Sequence, residues 1–402
     1  MKRILSKKLI SFLLIMFMLA SFSTSFAFWA SAILNATSTG DGSVPIGTWP
    51  PPGSISVSNA TDFNNIRNNL SATFFITDDI VLTGNFTPIG SETQPFTGVI
   101  MGNGKKITGL NLTTPVVTGT NEYLGLFAVN DGVIKDLSIV SASLTYNVSE
   151  SGSAITKTIY TGIVAASNTG TIHNVYVSGS LSYNYQLSIS GNNSTNNHIG
   201  YIGGMSGSTA DQITDSHSNV AITAYAEMVS TGNGIKQNID LHVGGLSGII
   251  TSGFVLNTYA EGNVTATSFV SRRNNGSSPS NNVNIHIGGL IGTNESTLSN
   301  SFAAGNITSS ISIGNQATNT TNNIRYGGLV GLGSSTSSYR RSTQTLNITS
   351  GPVLTLNSTG TATTEANLKL STWVYNSSNL AWDSNVWSTD GTNYPRLINN
   401  TY

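Results

Sequence analysis

The stretch His242-Val243-Gly244-Gly245-Leu246-Ser247-Gly248 decides the fold, because the chain repeats it. It stands earlier as Tyr201-Ile202-Gly203-Gly204-Met205-Ser206-Gly207. It returns as His286-Ile287-Gly288-Gly289-Leu290-Ile291-Gly292 and Arg325-Tyr326-Gly327-Gly328-Leu329-Val330-Gly331. Two looser copies precede these, Tyr123-Leu124-Gly125-Leu126-Phe127-Ala128 and Tyr160-Thr161-Gly162-Ile163-Val164-Ala165. The first glycines, at 125, 162, 203, 244, 288 and 327, are 37 to 44 residues apart. A period of this length predicts a repeat architecture, in which each unit buries its apolar face against its neighbours.

Working outward, each unit has a second half. It reads Asn257-Thr258-Tyr259-Ala260-Glu261-Gly262-Asn263-Val264 in one copy and Asn300-Ser301-Phe302-Ala303-Ala304-Gly305-Asn306-Ile307 in the next. Asn174-Val175-Tyr176 and Asp215-Ser216-His217 are its cognates. Alternating segments such as Leu181-Ser182-Tyr183-Asn184-Tyr185-Gln186-Leu187 fill the space between cores and read as strands. The expected fold is all-β, a parallel β-helix or β-solenoid of about six repeats of ~40 residues, capped at both ends. An ordinary β-helix rung uses about half of such a unit. The remainder is therefore expected as strand-turn-strand excursions, stacked into an additional sheet along one side. The paired glycines (Gly203, Gly204, Gly244, Gly245, Gly288, Gly289, Gly327, Gly328) are expected at a corner or bulge where a side chain would strike the next rung. Met205, Leu246, Leu290 and Leu329 should point inward.

The two-part unit resembles the GLUG-motif repeats of large bacterial extracellular proteins, over roughly residues 123 to 332. The first two copies depart from that pattern by lacking the second and the late glycine. The resemblance implies a secreted or cell-surface β-solenoid, often adhesin-like, with no catalytic residues of its own.

At the N-terminus, Lys2, Arg3, Lys7 and Lys8 precede an apolar run from Leu9 to Ala20, and Ser25-Phe26-Ala27 ends in small residues. This is the pattern of a signal peptide cleaved after Ala27, too short to favour a permanent span. Phe28-Trp29-Ala30-Ser31-Ala32 and the run through Gly47-Thr48-Trp49 resemble Gram-positive precursors cut by a SipW-type signal peptidase, with Ala32 as a second cleavage option. The expected organisation is signal peptide 1–27, processing segment and Pro/Gly linker 28–54, N-terminal cap and first rungs 55–122, repeats 123–350, and a Trp-rich C-terminal cap 351–402. A short helix is expected over residues 61–70, with Thr61 or Asp62 as its N-cap.

Charged residues are only 9% of the chain and the net charge is −1, which gives no electrostatic case for nucleic acid or an anionic membrane. Cysteine is absent, which removes disulfides, thiolate metal sites and a cysteine nucleophile. No carboxylates recur at matching positions to make the pair that glycoside hydrolysis needs. The five histidines show no His-x-x-x-His spacing. No catalytic residue, cofactor or metal site is therefore expected. One column is a candidate ligand-facing ladder: Tyr123, Tyr160, Tyr201, His242, His286 and Arg325, each two positions before a core glycine. Stacked in register, it could meet sugar rings, or serve only as packing. His242 and His286 could hold a metal, but no acidic partner is evident.

Three functions follow. The first is a non-catalytic secreted or cell-surface solenoid, adhesin-like or an extracellular-matrix component, presenting a polar face to cell-wall or host glycans or to other surfaces. The second is a polysaccharide-active lyase or glycosidase built on a β-helix. The third is a self-associating biofilm subunit.

Overall fold

The computed structural model describes residues 50–272, 281–314, 320–350 and 353–402. The signal peptide, the Ala27 and Ala32 cleavage options and most of the processing segment lie outside the described residues.

One coil shows how the repeat folds. Thr156–Gly162 runs along one face, turns at Ile163-Val164, and continues as Ala165–Asn168 on a second face. After a turn, Thr171–Ile189 forms a long third face. A tight loop then returns the chain as Thr195–Gly203, which lies parallel to Thr156–Gly162 with Tyr160 beside Tyr201 and Gly162 beside Gly203. Successive coils keep that register: Gly203 pairs with Gly244, Gly244 with Gly288, and Gly288 with Gly327. The protein is a parallel β-helix. Among the described residues its strands form sheets of eighteen, eight and six strands, plus a two-stranded hairpin.

Among the described residues the excursions form no separate sheet. The outgoing arm, such as Leu181–Ile189, prolongs the eighteen-stranded sheet. The returning arm belongs to the eight-stranded sheet that carries the glycine cores. The two arms face each other across a packed interior, so the whole unit of some forty residues makes one wide coil. Leu181, Tyr183, Tyr185, Leu187 and Ile189 point into this space on alternate positions. Tyr183 Oη lies 2.7 Å from His198 Nε2 of the opposing arm, and Tyr185 stacks on the same imidazole at 3.9 Å between ring centroids. Burying Leu181, Leu187, Ile189 and the aromatic rings favours enclosing the excursion over leaving it in solvent.

The paired glycines sit where the eight-stranded sheet turns into the six-stranded one. A Cβ on Gly203 would lie 2.0 Å from the Ser206 carbonyl oxygen, and one on Gly245 would lie 2.3 Å from that of Gly289. The requirement is space, inside its own corner for the first glycine of each pair and against the next rung for Gly204, Gly245 and Gly289, because none of the eight core glycines has positive φ. Met205, Leu246, Leu290 and Leu329 are fully buried behind them.

A second corner recurs in the eighteen-stranded sheet. Asp136, Asn174, Asp215, Asn257 and Asn300 all have left-handed backbone, with φ between 46° and 56°. Asn and Asp tolerate that region better than other side-chain-bearing residues, which explains the residue that opens each second half. Asn174 Nδ2 donates to Asp136 Oδ1 at 2.7 Å, and Asn257 Nδ2 to Asp215 Oδ1 at 3.0 Å, so the corners are also tied to each other.

At the N-terminal end, Ala60–Asn64 is a helix that runs into a 3-10 turn, Asn65–Asn68. Its N-cap is Asn59, not Thr61 or Asp62: Asn59 Oδ1 accepts from the Thr61 and Asp62 amides. Phe63 and Ile66 are fully buried against the first coil.

The Trp-rich C-terminus is more than a plug on the last rung. It runs back along the outer face of the eighteen-stranded sheet. The reason is a second aromatic column, Tyr176, His217, Tyr259 and Phe302, stacked at 4.4, 4.5 and 4.6 Å and continued in register by Tyr339. That column needs a cover. Trp373 packs edge-on against Tyr339, Trp382 stacks on Phe302, and Tyr402 lies 4.7 Å from Tyr176. Trp382 Nε1 donates to Asn300 O, Tyr259 Oη to Pro395 O, and Asn400 Nδ2 to Asn174 O. The strap ends at the first coils, where Thr401 N donates to Gly104 O at 2.9 Å.

Two substitutions test this packing. Gly245→Ala drives its methyl into the Gly289 carbonyl and should cost about 3 kcal/mol, read from the midpoint of urea unfolding. Trp387→Ala empties a fully buried site in the strap and should cost roughly 3–5 kcal/mol by the same measurement.

Candidate functional sites

The eight-stranded and six-stranded sheets meet at an angle on the outside, leaving a groove that follows the solenoid axis. One wall is the column anticipated from the sequence. Tyr123, Tyr160, Tyr201, His242, His286 and Arg325 occupy one register position, each directly beside the next. The opposite wall carries the register column Ser167, Ser208, Ile249 and Thr293. Toward its N-terminal end the groove opens to about 570 Å³, with Glu92, Asp131, Thr169 and Thr251 at its margins.

The tyrosines do not offer flat faces to a ligand. Their rings stack on each other at 5.0 Å from Tyr123 to Tyr160 and at 5.1 Å from Tyr160 to Tyr201. The π faces are consumed within the ladder, so the groove meets ring edges and hydroxyls. A ligand here would be held mainly by hydrogen bonds. Burial raises the phenol of Tyr201 to about 12, with the neighbouring Tyr160 pushing the same way, so it stays protonated and can donate.

Further along the same wall the ladder changes to imidazoles. His242 and His286 stack at 4.7 Å with their planes 6° apart. Asp240 lies two positions before His242 on the same outward face of its strand. Its Oδ1 is 3.4 Å from Nε2 of both histidines. The acidic partner that seemed missing is therefore present. The signal was in the sequence, in period-two alternation applied to Asp240-Leu241-His242.

A second cavity, of about 330 Å³, lies between the outer aromatic column and the strap. Tyr176, His217, Glu261, Lys369, Arg396 and Tyr402 line it. Burial raises the Glu261 carboxyl to about 7, against the opposing pull of Arg396 and Lys369. His217 is sandwiched between Tyr176 and Tyr259, and its Nε2 lies 3.1 Å from Tyr402 Oη. Burial holds its pKa well below the usual imidazole range. Sequence reasoning missed this cavity because the strap that roofs it has no repeat.

No protein-family model matches the chain, and no curated protein matches it. One solved structure it resembles is described as "a putative immunoglobulin A1 protease from Bacteroides ovatus", at 17% identity and a TM-score of 0.49, covering 87% of this chain and 93% of that one.

The buried ionisable groups set a pH dependence. His198 is pushed down to about 3 by burial, and His217 is lowered in the same sense, from an ordinary 6.5. Below pH 6.5 the unfolded chain therefore gains protons at both residues that the folded chain refuses. Glu261 acts oppositely, since the folded chain holds its proton from about pH 7 down and the unfolded chain only near 4.5. The two histidines outweigh the one carboxyl, and His286, also lowered by burial, adds to them. Stability should fall by roughly 1 kcal/mol per pH unit averaged between pH 6.5 and 4.5, read from urea midpoints. Glu261→Gln should steepen that slope.

Proposed function

We propose that the protein is a non-catalytic, secreted or cell-surface β-solenoid, adhesin-like or matrix-forming, whose outer groove binds glycans. The observation that carries this reading is the groove itself. It is long, open, and lined by tyrosine edges, serine and threonine hydroxyls and two exposed carboxylates, Glu92 and Asp131. Such a lining can exchange hydrogen bonds with the hydroxyls of an extended polysaccharide along several rungs. The exposed carboxylates offer acceptors to sugar hydroxyls. The basic and apolar N-terminus and the GLUG-like cores support export from a Gram-positive-type bacterium. Self-association into a matrix is compatible with the same surface. The near-zero net charge gives no reason to invoke nucleic acid.

A second reading, a polysaccharide-active enzyme, is favoured by one observation, the half-buried Glu261 whose carboxyl sits near neutrality in a cavity with His217 and Arg396.

The two readings separate in one experiment. Mature protein is mixed with a panel of wall and host polysaccharides, and both retention and newly released sugar ends are scored. Retention without release, weakened about tenfold by Glu92→Gln with Asp131→Asn, is the expected result. Release that is abolished by Glu261→Gln would replace the first reading with the second. Neither retention nor release would leave self-assembly, checked by concentration-dependent sedimentation.

A further inference from the structure

We propose that Asp240, His242 and His286 form a site for one divalent transition cation of the zinc type. The inference goes beyond glycan binding and stands whether or not the groove takes a sugar.

Geometry is the first support. Four ligands about 2.1 Å from a tetrahedral zinc ion are about 3.4 Å from one another. Asp240 Oδ1 stands 3.4 Å from both Nε2 atoms, which matches two edges of that tetrahedron. The third edge is looser: the three ligand atoms lie within 4.8 Å of one another. Tilting one imidazole toward the other closes it.

Unmet polar valence is the second. Asp240 Oδ1 is sealed from solvent and has no hydrogen-bond partner, although two imidazole nitrogens are close by. Both Nε2 atoms stand 3.4 Å from it, at the long end of hydrogen-bond range. A cation between the three atoms would satisfy the oxygen and both nitrogens at once.

Orientation is the third. His242 Nδ1 is 2.7 Å from Thr293 Oγ1, across the groove in the six-stranded sheet. With Nδ1–H donating to that hydroxyl, Nε2 carries the lone pair that faces Asp240, as a ligand histidine requires. The two histidine side chains are 10% and 5% exposed, whereas Asp240 is 35% exposed. The held ion would thus be anchored from within the wall, with the Asp240 side chain at its outer margin.

The repeat itself is the fourth. Packing needs only a flat ring at this position, and Tyr123, Tyr160 and Tyr201 supply it in the earlier coils. Adjacent imidazoles with a carboxylate beside them occur together only where the three are found here, among the described residues. Arg325, one rung further in the same column, opposes any cation. Affinity must then come from ligand chemistry and not from accumulated negative charge. Imidazole donors select zinc, copper, nickel or cobalt over calcium and magnesium.

The test uses untagged mature protein stripped with a chelator, then titrated with zinc against a chromophoric competitor. One zinc per chain is expected. Asp240→Asn and His286→Tyr should each weaken it at least tenfold. The second keeps a flat ring in the ladder, as Tyr201 does, so its fold is checked by circular dichroism and its loss of zinc is not a loss of structure. Thr293→Val should weaken binding by roughly ten- to a hundredfold without removing a ligand. In nitrogen-15 spectra, zinc should shift Nε2 of two histidines. No zinc bound at millimolar concentration would overturn the proposal, and so would unchanged affinity in the Asp240→Asn and His286→Tyr proteins. Preference for calcium or magnesium would overturn the class of cation.

Discussion

Everything in this molecule depends on one constraint: successive coils must stack in register at backbone hydrogen-bonding distance, side chain above like side chain. Parallel ladders allow this only if no atom projects into the gap where the backbone turns. At the core corner the clearance leaves no room for a methyl, with neighbouring carbonyl oxygens 2.0–2.3 Å from where it would be. Glycine pairs are therefore the condition for the wide coil to close, and the columns, the groove and the outer aromatic stack follow from the register they permit.

Register also converts sequence into chemistry. A residue type placed once per repeat becomes a line of side chains along the axis, and a change of type partway becomes a local site. The tyrosine ladder gives a groove wall built of edges and hydroxyls. Its replacement by His242 and His286 gives two nitrogens held in parallel, and Asp240 shares their face through strand alternation. The same logic on the far side yields Tyr176, His217, Tyr259 and Phe302, a column whose apolar faces the strap removes from water.

Much of this was legible in the chain. The spacing of the glycines sets the coil, and the position two before each glycine sets the ladder, because both are local and periodic. The excursions were misplaced because alternation alone cannot say whether two arms face each other or solvent. Buried Tyr183 and His198, meeting at 2.7 Å, settle that only in three dimensions. Asn257 and its cognates open each second half in the sequence, and their left-handed backbone makes them corners inside a continuous sheet. The strap was read as an end plug, since nothing in Trp373, Trp382 or Trp387 indicates how far back along the solenoid they reach.

That reach changes the kind of object the solenoid is. A stack of repeats joined only to its neighbours behaves as a one-dimensional array, able to fray from either end. Here Thr401 meets Gly104, a contact spanning 297 residues, and the strap touches the coils in between. Such a tie makes the ends answer to each other, so unzipping one coil also strains the others. It works as a long-range staple in a chain without a single cysteine. It also raises the contact order of an otherwise local fold. The coils can assemble in order, but the cooperative unit is complete only when the strap up to Thr401 is in place to lock it.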